Sequence, residues 1–205
     1  MWDMNAFNVS GALNIFRVLA KPSLCLPQAT ISTFNDLPIP LNKAFAKYGN
    51  VDIKVVVLDK DDCFAVPHTN EIYKPYEEHF SRLRQHYPGA RLLIVSNTAG
   101  AASVDPSRSQ AESLSTSTGV HVLQHRHKKP GCSAEIMDYL RSQKETINVR
   151  PEQVAVVGDR LMTDAVMANV MGAYGVWVKD GVVSRDRKSV WDCAVVRSSS
   201  SEITV

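Results

Sequence analysis

The stretch "IKVVVLDKDDC", residues 53–63, decides the reading of this chain. Val55, Val56, Val57 and Leu58 form an unbroken apolar run that leads straight into Asp59, Asp61 and Asp62. A continuous apolar run of this length suits a strand covered on both faces, as in a parallel sheet. The acidic end needs partners, because neighbouring carboxylates raise one another's pKa unless a cation lies beside them. One short stretch therefore sets expectations for both the architecture and the site.

The pattern recurs along the chain. "RLLIVSN" (91–97), "QVAVVGD" (153–159) and "YGVWVKD" (174–180) are apolar runs that each end in polar or charged residues, and "GVHVLQH" (119–125) is a weaker fifth. Helix-like segments at 75–87, 132–144 and 163–171 lie between or after them. This alternation predicts an α/β fold: a Rossmann-like open, mainly parallel sheet with helices on both faces and right-handed crossovers. Ligands of such sheets bind at the carboxyl ends of the strands, where Asp59, Ser96 and Asp159 stand. The stretch 98–117, rich in Ala, Ser, Gly and Pro, holds a loop and one short helix. Together with the short stretch 64–74, it leaves no room for a substantial cap domain.

The chain divides into an N-terminal extension (1–50), an α/β domain (51–197) and a polar tail (198–205). Within the extension, residues 9–21 fit an amphipathic helix. Ser10, Asn14, Arg17 and Lys21 share one stripe, while Ala12, Leu13, Ile15, Phe16 and Leu19 cover the opposite arc. A helix this apolar docks either on the protein's own core or on a membrane surface.

Composition narrows the function classes. At 205 residues with a formal net charge of +2, the surface is mixed rather than a uniform basic field, which argues against nucleic acid as the partner. Cys25, Cys63, Cys132 and Cys193 show neither CxxC spacing nor a histidine at metal-site distance, and read as reduced thiols. No apolar run approaches the roughly 20 residues needed to span a bilayer. A secretory signal pattern is also missing.

Asp59 and Asp61 are two residues apart at a strand end, so period-two geometry turns both to one side and Lys60 to the other. Hard oxygen donors of this kind suit Mg²⁺. Asp159 offers a third carboxylate, and Asp164 follows five residues later at the opening of a helix. Taken singly, each of these aspartates also fits a turn or a helix cap.

Taken together, "DKDDC", "SN", "KKP" and "GDRLMTD" occur in the order of the four motifs of the haloacid dehalogenase superfamily of phosphatases, which the chain resembles from about residue 52 to 180. The resemblance implies Asp59 as nucleophile and Asp61 as general acid, then base. It implies that Ser96 hydrogen-bonds a phosphoryl oxygen and that Lys129 neutralises the transferring group. Mg²⁺ would be held by Asp59, Asp159 and the backbone carbonyl of Asp61, with Asp164 acting directly or through water. Lys128 competes for the lysine role but stands one residue further from Pro130. Asn97 reads as a turn former or as a substrate-loop residue, and Arg160 as a surface charge or a brace of the metal loop.

More narrowly, "LDKDDC", "VSNTAG", "HKKPGC", "VGDRLMTDAVMAN" and the N-terminal "ALNIFRVLAKPSL" resemble the fungal mitochondrial phosphatidylglycerophosphate phosphatases and their bacterial relatives. That resemblance implies a Mg²⁺-dependent enzyme converting phosphatidylglycerophosphate to phosphatidylglycerol on the way to cardiolipin. It would lie peripherally on the matrix side of the mitochondrial inner membrane. With a lipid substrate, the helix at 9–21 becomes a membrane-docking element, with Leu13, Phe16, Arg17, Leu19 and Lys21 as contacts. The basic run "HRHKK" (125–129), together with Arg108, would suit an anionic lipid surface. The alternatives are a soluble phosphatase of the same superfamily and a catalytically silent module that binds metal and phosphate. One departure stands out. Asp62 occupies a position where the family usually carries Asn, adding negative charge beside the nucleophile.

Overall fold

The apolar run becomes strand β2 (Val55–Leu58), with all four residues fully buried, in a computed structural model that describes residues 18–182. The other expected runs form β3 (Leu92–Ile94), β5 (Val154–Gly158) and β6 (Tyr174–Val178), and the weaker one a two-residue β4 (His121–Val122). A sixth strand, β1 (Ala29–Ile31), lies upstream of the segments expected to form the sheet. All six run parallel in the order β1-β6-β5-β2-β3-β4.

Alternation along the central strands splits the core in two. Val56, Leu58, Leu92, Ile94, Ala155 and Val157 face one layer; Val55, Val57, Leu93, Val154 and Val156 face the other. The first layer is covered by helices α1 (Glu77–His86), through Phe80 and Leu83, and α2 (Ser109–Thr118), through Ala111 and Leu114. The second is covered by α3 (Ser133–Ser142), through Ile136, Met137 and Leu140, and α4 (Val166–Met171), through Met167 and Ala168. Helices on both faces explain why the strands are apolar throughout instead of alternating.

Part of the first layer comes from upstream of residue 50. Phe34, Leu37, Leu41 and Phe45 are at most 1% exposed. Phe34 packs against Phe64, Tyr76 and Phe80 with ring centroids 5.6–6.1 Å apart, and Phe45 lies 4.7 Å from Tyr174. Burying each of these phenylalanines contributes on the order of 2–3 kcal/mol of transfer free energy. Residues 29–48 are thus structurally continuous with the sheet, and the sequence division at residue 50 does not mark a gap in the core.

Of the helix read at 9–21, residues 18–20 are described and helical. The backbone then breaks at Lys21 (φ −142°) ahead of Pro22. Leu13, Phe16 and Arg17 lie outside the described residues. Leu19 is 71% exposed and Lys21 is exposed, so neither is packed in the described core. Among the described residues no helix is long and apolar enough to cross a membrane. The segment 98–120 carries α2 alone, and no inserted cap domain is found between β2 and β6.

Candidate active site

The chain order of the strands explains where a site forms. After β2 the sheet grows to one side through β3 and β4, then β5 returns to the other side of β2. A crevice opens at such a switch point, beyond the strand carboxyl ends. Leu58 pairs with Val157, and the Asp59 amide donates to the Val157 carbonyl at 2.8 Å. Asp59 and Asp159 therefore flank the crevice as neighbours.

Asp164 joins them through an irregular helix start. The helix read from Thr163 begins instead as one π-helical turn, Leu161–Ala165, before α4. Single π turns of this kind often mark functional sites. The turn directs Asp164 back over Gly158, and Asp164 Oδ2 accepts the Arg160 amide at 3.1 Å. Asp59, Asp159 and Asp164 are all buried, each offering an oxygen within 4.8 Å of the others. Trp177 Nε1 donates to the Asp159 carbonyl at 2.9 Å, bracing this loop from β6.

Lys129 supplies the countercharge. Its Nζ stands 2.6 Å from Asp59 Oδ1 and 2.7 Å from Asp164 Oδ1, with the side chain 2% exposed. Burial alone would lower its pKa, but Asp164 and Asp59 outweigh burial and hold the ammonium charged, above its ordinary range. Its backbone amide donates to Asn97 Oδ1 at 2.8 Å, which ties the loop after β3 to the lysine loop. Lys128 is only partly buried and is not at this centre. The Lys129 ammonium and the Arg160 guanidinium, 3.9 Å from Asp159 Oδ2, set two cations against three carboxylates and leave the cluster net negative. Buried hard-oxygen donors with excess negative charge fit a divalent cation such as Mg²⁺.

Gly158 makes the arrangement sterically feasible. A Cβ at this position would lie 2.3 Å from Asp164 Oδ2 and 2.4 Å from its Cγ. Gly158→Ala is expected to displace Asp164 and to weaken Mg²⁺ binding by about tenfold or more, the usual scale for disturbing a metal site's supporting shell. Isothermal titration calorimetry with Mg²⁺ checks this directly.

Asp61 is placed differently from its neighbours. The strand ends at Leu58, and the chain turns so that the Lys60 carbonyl accepts the amides of Cys63, Phe64 and Ala65. Lys60 does not point away from Asp61 as strand geometry implies. It is 1% exposed, and its Nζ meets Asp61 Oδ1 and the Thr69 carbonyl, both at 2.8 Å. The Asp61 carboxylate also accepts the His68 amide at 2.8 Å and the Thr98 hydroxyl at 2.5 Å. Burial works against ionisation of Asp61, but Lys60, Thr98 and the His68 amide outweigh it and hold the carboxyl below its ordinary range. Its carboxylate is not one of the three that converge within 4.8 Å of one another. Asp59, Asp61, His68, Asn97, Thr98, Lys129 and Arg160 line one cleft of about 60 Å³.

Ser96, read as a partner of a phosphoryl oxygen, stands at the turn after β3. It is fully buried and not part of the cleft lining, and its Oγ accepts the amides of Thr98 (3.1 Å) and Ala99 (3.3 Å). Its hydroxyl anchors the turn after β3, and Thr98 lines the cleft. Sequence reasoning missed Thr98, Lys60, Gly158 and Trp177. The "T" in "VSNTAG" and the "DKD" spacing carry these residues in the sequence, but neither identifies a side-chain direction.

Asp62 acquires a clear reason. Its φ is +60°, a left-handed conformation in which Asn and Asp are several-fold enriched among non-glycine residues. Its Oδ1 accepts the Val182 amide at 2.8 Å, on a segment after β6. An Asn oxygen would accept the same bond, so Asp and Asn meet one local demand. The thiols of Cys25, Cys63 and Cys132 are free and buried. Burial, then the charges of Asp59, Asp159 and Asp164, push Cys63 well above the usual thiol range; burial raises Cys132 to about 12. Both are poor nucleophiles. Cys193 lies outside the described residues.

The chain is similar to several known proteins. Residues 9–183 match a family model for mitochondrial PGP phosphatases. The chain is 53% identical over 175 residues to the mitochondrial phosphatidylglycerophosphatase GEP4 of Saccharomyces cerevisiae, covering 85% of this chain and 89% of that protein. It is 29% identical over 177 residues to a probable mitochondrial phosphatidylglycerophosphatase of Schizosaccharomyces pombe, covering 85% and 84%. Among solved structures, an uncharacterized protein from Listeria monocytogenes serotype 4b aligns with a TM-score of 0.42 and 17% identity, over 71% of this chain and 96% of that one.

Proposed function

Since the chain belongs to the mitochondrial PGP phosphatase family, we propose that it hydrolyses phosphatidylglycerophosphate to phosphatidylglycerol through an aspartyl-phosphate on Asp59. The observation that carries this reading is the convergence of Asp59, Asp159 and Asp164 around Lys129 at the sheet's switch point.

Lys129 and the Lys60 amide both contact Asp59 Oδ1, the latter at 2.7 Å, which reserves Oδ2 for attack on phosphorus. As the Asp59–phosphorus bond forms and the bond to the glycerol oxygen breaks, Asp61, ionised in the free protein and protonated on substrate binding, delivers that proton to the departing oxygen. Asp61 then takes a proton from water as water attacks phosphorus and releases Asp59. Lys129 neutralises charge on the transferring group, and Asn97 holds the lysine loop in place. Asp59, Asp159 and the Asp61 carbonyl, with Asp164 in support, would hold Mg²⁺, which would supply further neutralisation of the phosphoryl charge.

The open cleft suits a lipid headgroup presented at a surface. Arg108 and Arg126 are exposed and line a neighbouring cleft of about 400 Å³ with His125 and Gln124. These cations favour an anionic bilayer, and the exposed Leu19 and Lys21 would offer an apolar and a basic side chain to such a surface. In this reading the protein works peripherally on the matrix side of the mitochondrial inner membrane.

The test is phosphate release from phosphatidylglycerophosphate in mixed micelles, compared with soluble phosphomonoesters, with and without EDTA. The lipid is expected to be strongly preferred, and EDTA is expected to abolish turnover until Mg²⁺ is restored. Equal rates on soluble esters would replace this reading with a soluble phosphatase of the same superfamily. No turnover on any ester would leave a silent binding module.

A further inference from the structure

His125 is 2% exposed, and both nitrogens of its ring meet backbone carbonyls. Nδ1 lies 2.7 Å from the His127 carbonyl oxygen, and Nε2 lies 3.0 Å from that of Ser96. A carbonyl only accepts, so each of these bonds needs a proton on the ring nitrogen. A neutral imidazole carries one such proton and serves one carbonyl, whereas a doubly protonated ring serves both. The two carbonyls belong to the two loops that frame Lys129. Ser96 opens the turn after β3, and His127 lies two residues before the lysine.

The backbone holds the ring in place. The His125 amide donates to the Gly100 carbonyl, and the His125 carbonyl accepts the Ala102 amide, both at 2.9 Å. Gly100, at φ +86°, permits this approach, since a Cβ there would lie 2.3 Å from the Leu123 carbonyl oxygen. Asp105 and Glu135 line a cleft with His125, as do Arg108 and Arg126, so carboxylates as well as cations stand near it. Glu135 also accepts the amides of Arg126 at 2.7 Å and His127 at 3.1 Å, pinning the lysine loop from α3.

We propose that His125 is a positioning residue for Lys129, a double donor whose ring clamps the turn after β3 to the lysine loop. The inference rests on the phosphatase reading and adds to it the residue that fixes the lysine's backbone. Two ties then join the loops side by side. The ring links the Ser96 and His127 carbonyls, and Asn97 Oδ1 accepts the Lys129 amide at 2.8 Å. With both ties in place, Nζ is held at Asp59 and Asp164. Loss of the ring leaves one tie and lets the ammonium drift from the transferring group. A misplacement of about 1 Å in an active site can cost on the order of 10²-fold in rate.

His125→Leu removes both donors at similar volume, and His125→Gln keeps one donor in its carboxamide. With 4-nitrophenyl phosphate and saturating Mg²⁺, the Leu variant is expected to lower kcat about 10- to 100-fold with KM little changed, and the Gln variant by less. Circular dichroism checks folding, and the Gln variant carries the comparison if the Leu variant does not fold. The same substitutions in a Lys129→Met background separate positioning of the lysine from general support of the fold. There they are expected to change kcat by less than about twofold, because the group they act through is gone. Equal fold-losses in both backgrounds would overturn the role of His125 and leave the phosphatase reading intact. So would a loss confined to phosphatidylglycerophosphate in mixed micelles, which would assign the ring to the lipid surface. In ¹⁵N-histidine NMR spectra at the assay pH, both ring nitrogens of His125 are expected to carry protons. A ring nitrogen without a proton would overturn the clamp. A parent chain inactive on both esters would overturn this role and the phosphatase reading together.

Discussion

Asp59→Asn is expected to abolish phosphate release while the protein stays folded. The amide has no anionic oxygen to attack phosphorus, so no covalent intermediate forms. Losing a nucleophile of this kind costs on the order of 10⁴- to 10⁶-fold in kcat. The fold should tolerate the change for local reasons. The Asn oxygen still accepts the Lys60 amide that Asp59 Oδ1 accepts at 2.7 Å, and Lys129 keeps Asp164 at 2.7 Å. Circular dichroism and thermal melting establish folding, and phosphate release from phosphatidylglycerophosphate measures activity. A folded Asp59→Asn protein with appreciable turnover would remove Asp59 from the nucleophile's role.

Lys129→Met should damage both activity and stability, and the second effect identifies the lysine as the centre of the cluster. The ammonium bridges two buried carboxylates at 2.6 and 2.7 Å, with a third in the same group. Methionine fills similar volume and leaves these carboxylates without it. Breaking a buried pair by removing one partner costs about 3–5 kcal/mol. Urea denaturation without metal should register that loss. Mg²⁺ should restore part of it, because a ligand that binds only the folded state stabilises it by mass action. Activity should fall about 10²- to 10³-fold even with saturating Mg²⁺, the scale of removing one electrostatic donor from a transferring group. Unchanged stability in metal-free urea would mean that Lys129 does not hold the cluster together.

These expectations trace to features of unequal legibility in the sequence. The strands around the site announce themselves because a parallel strand covered on both faces must be apolar throughout, as "VVVL" and "VAVV" are. β1 does not, because it is a three-residue edge strand of intermediate and exposed positions. A lysine between two aspartates reads as solvated by default. Only the fold reveals that Lys60 is 1% exposed, because its partners come from residues 61 and 69. The same limit applies to Ser96 and Thr98. Motif order points to the serine, but a tight turn folds its hydroxyl onto the turn's own amides and brings forward the residue two positions later. Asp62 looked like surplus charge in sequence, and a left-handed φ with an amide donor from Val182 gives it a structural role.

The edge position of β1 limits how much of the N-terminal segment could be removed without damage to the sheet. β1 pairs with β6 from Ala29↔Val176 to Ile31↔Val178, and the chain just before it is clasped to α4, where Asn169 Nδ2 donates to the carbonyls of Leu24 and Leu26. Asn169 lies five residues beyond Asp164, on the helix that continues the metal-loop turn. A protease that trimmed the N-terminal segment without loosening the fold would have to cut before this clasp. A cut beyond Ile31 would uncover the hydrogen-bonding edge of β6, an invitation to intermolecular strand pairing. It would also strip support from the helix that carries the acidic site.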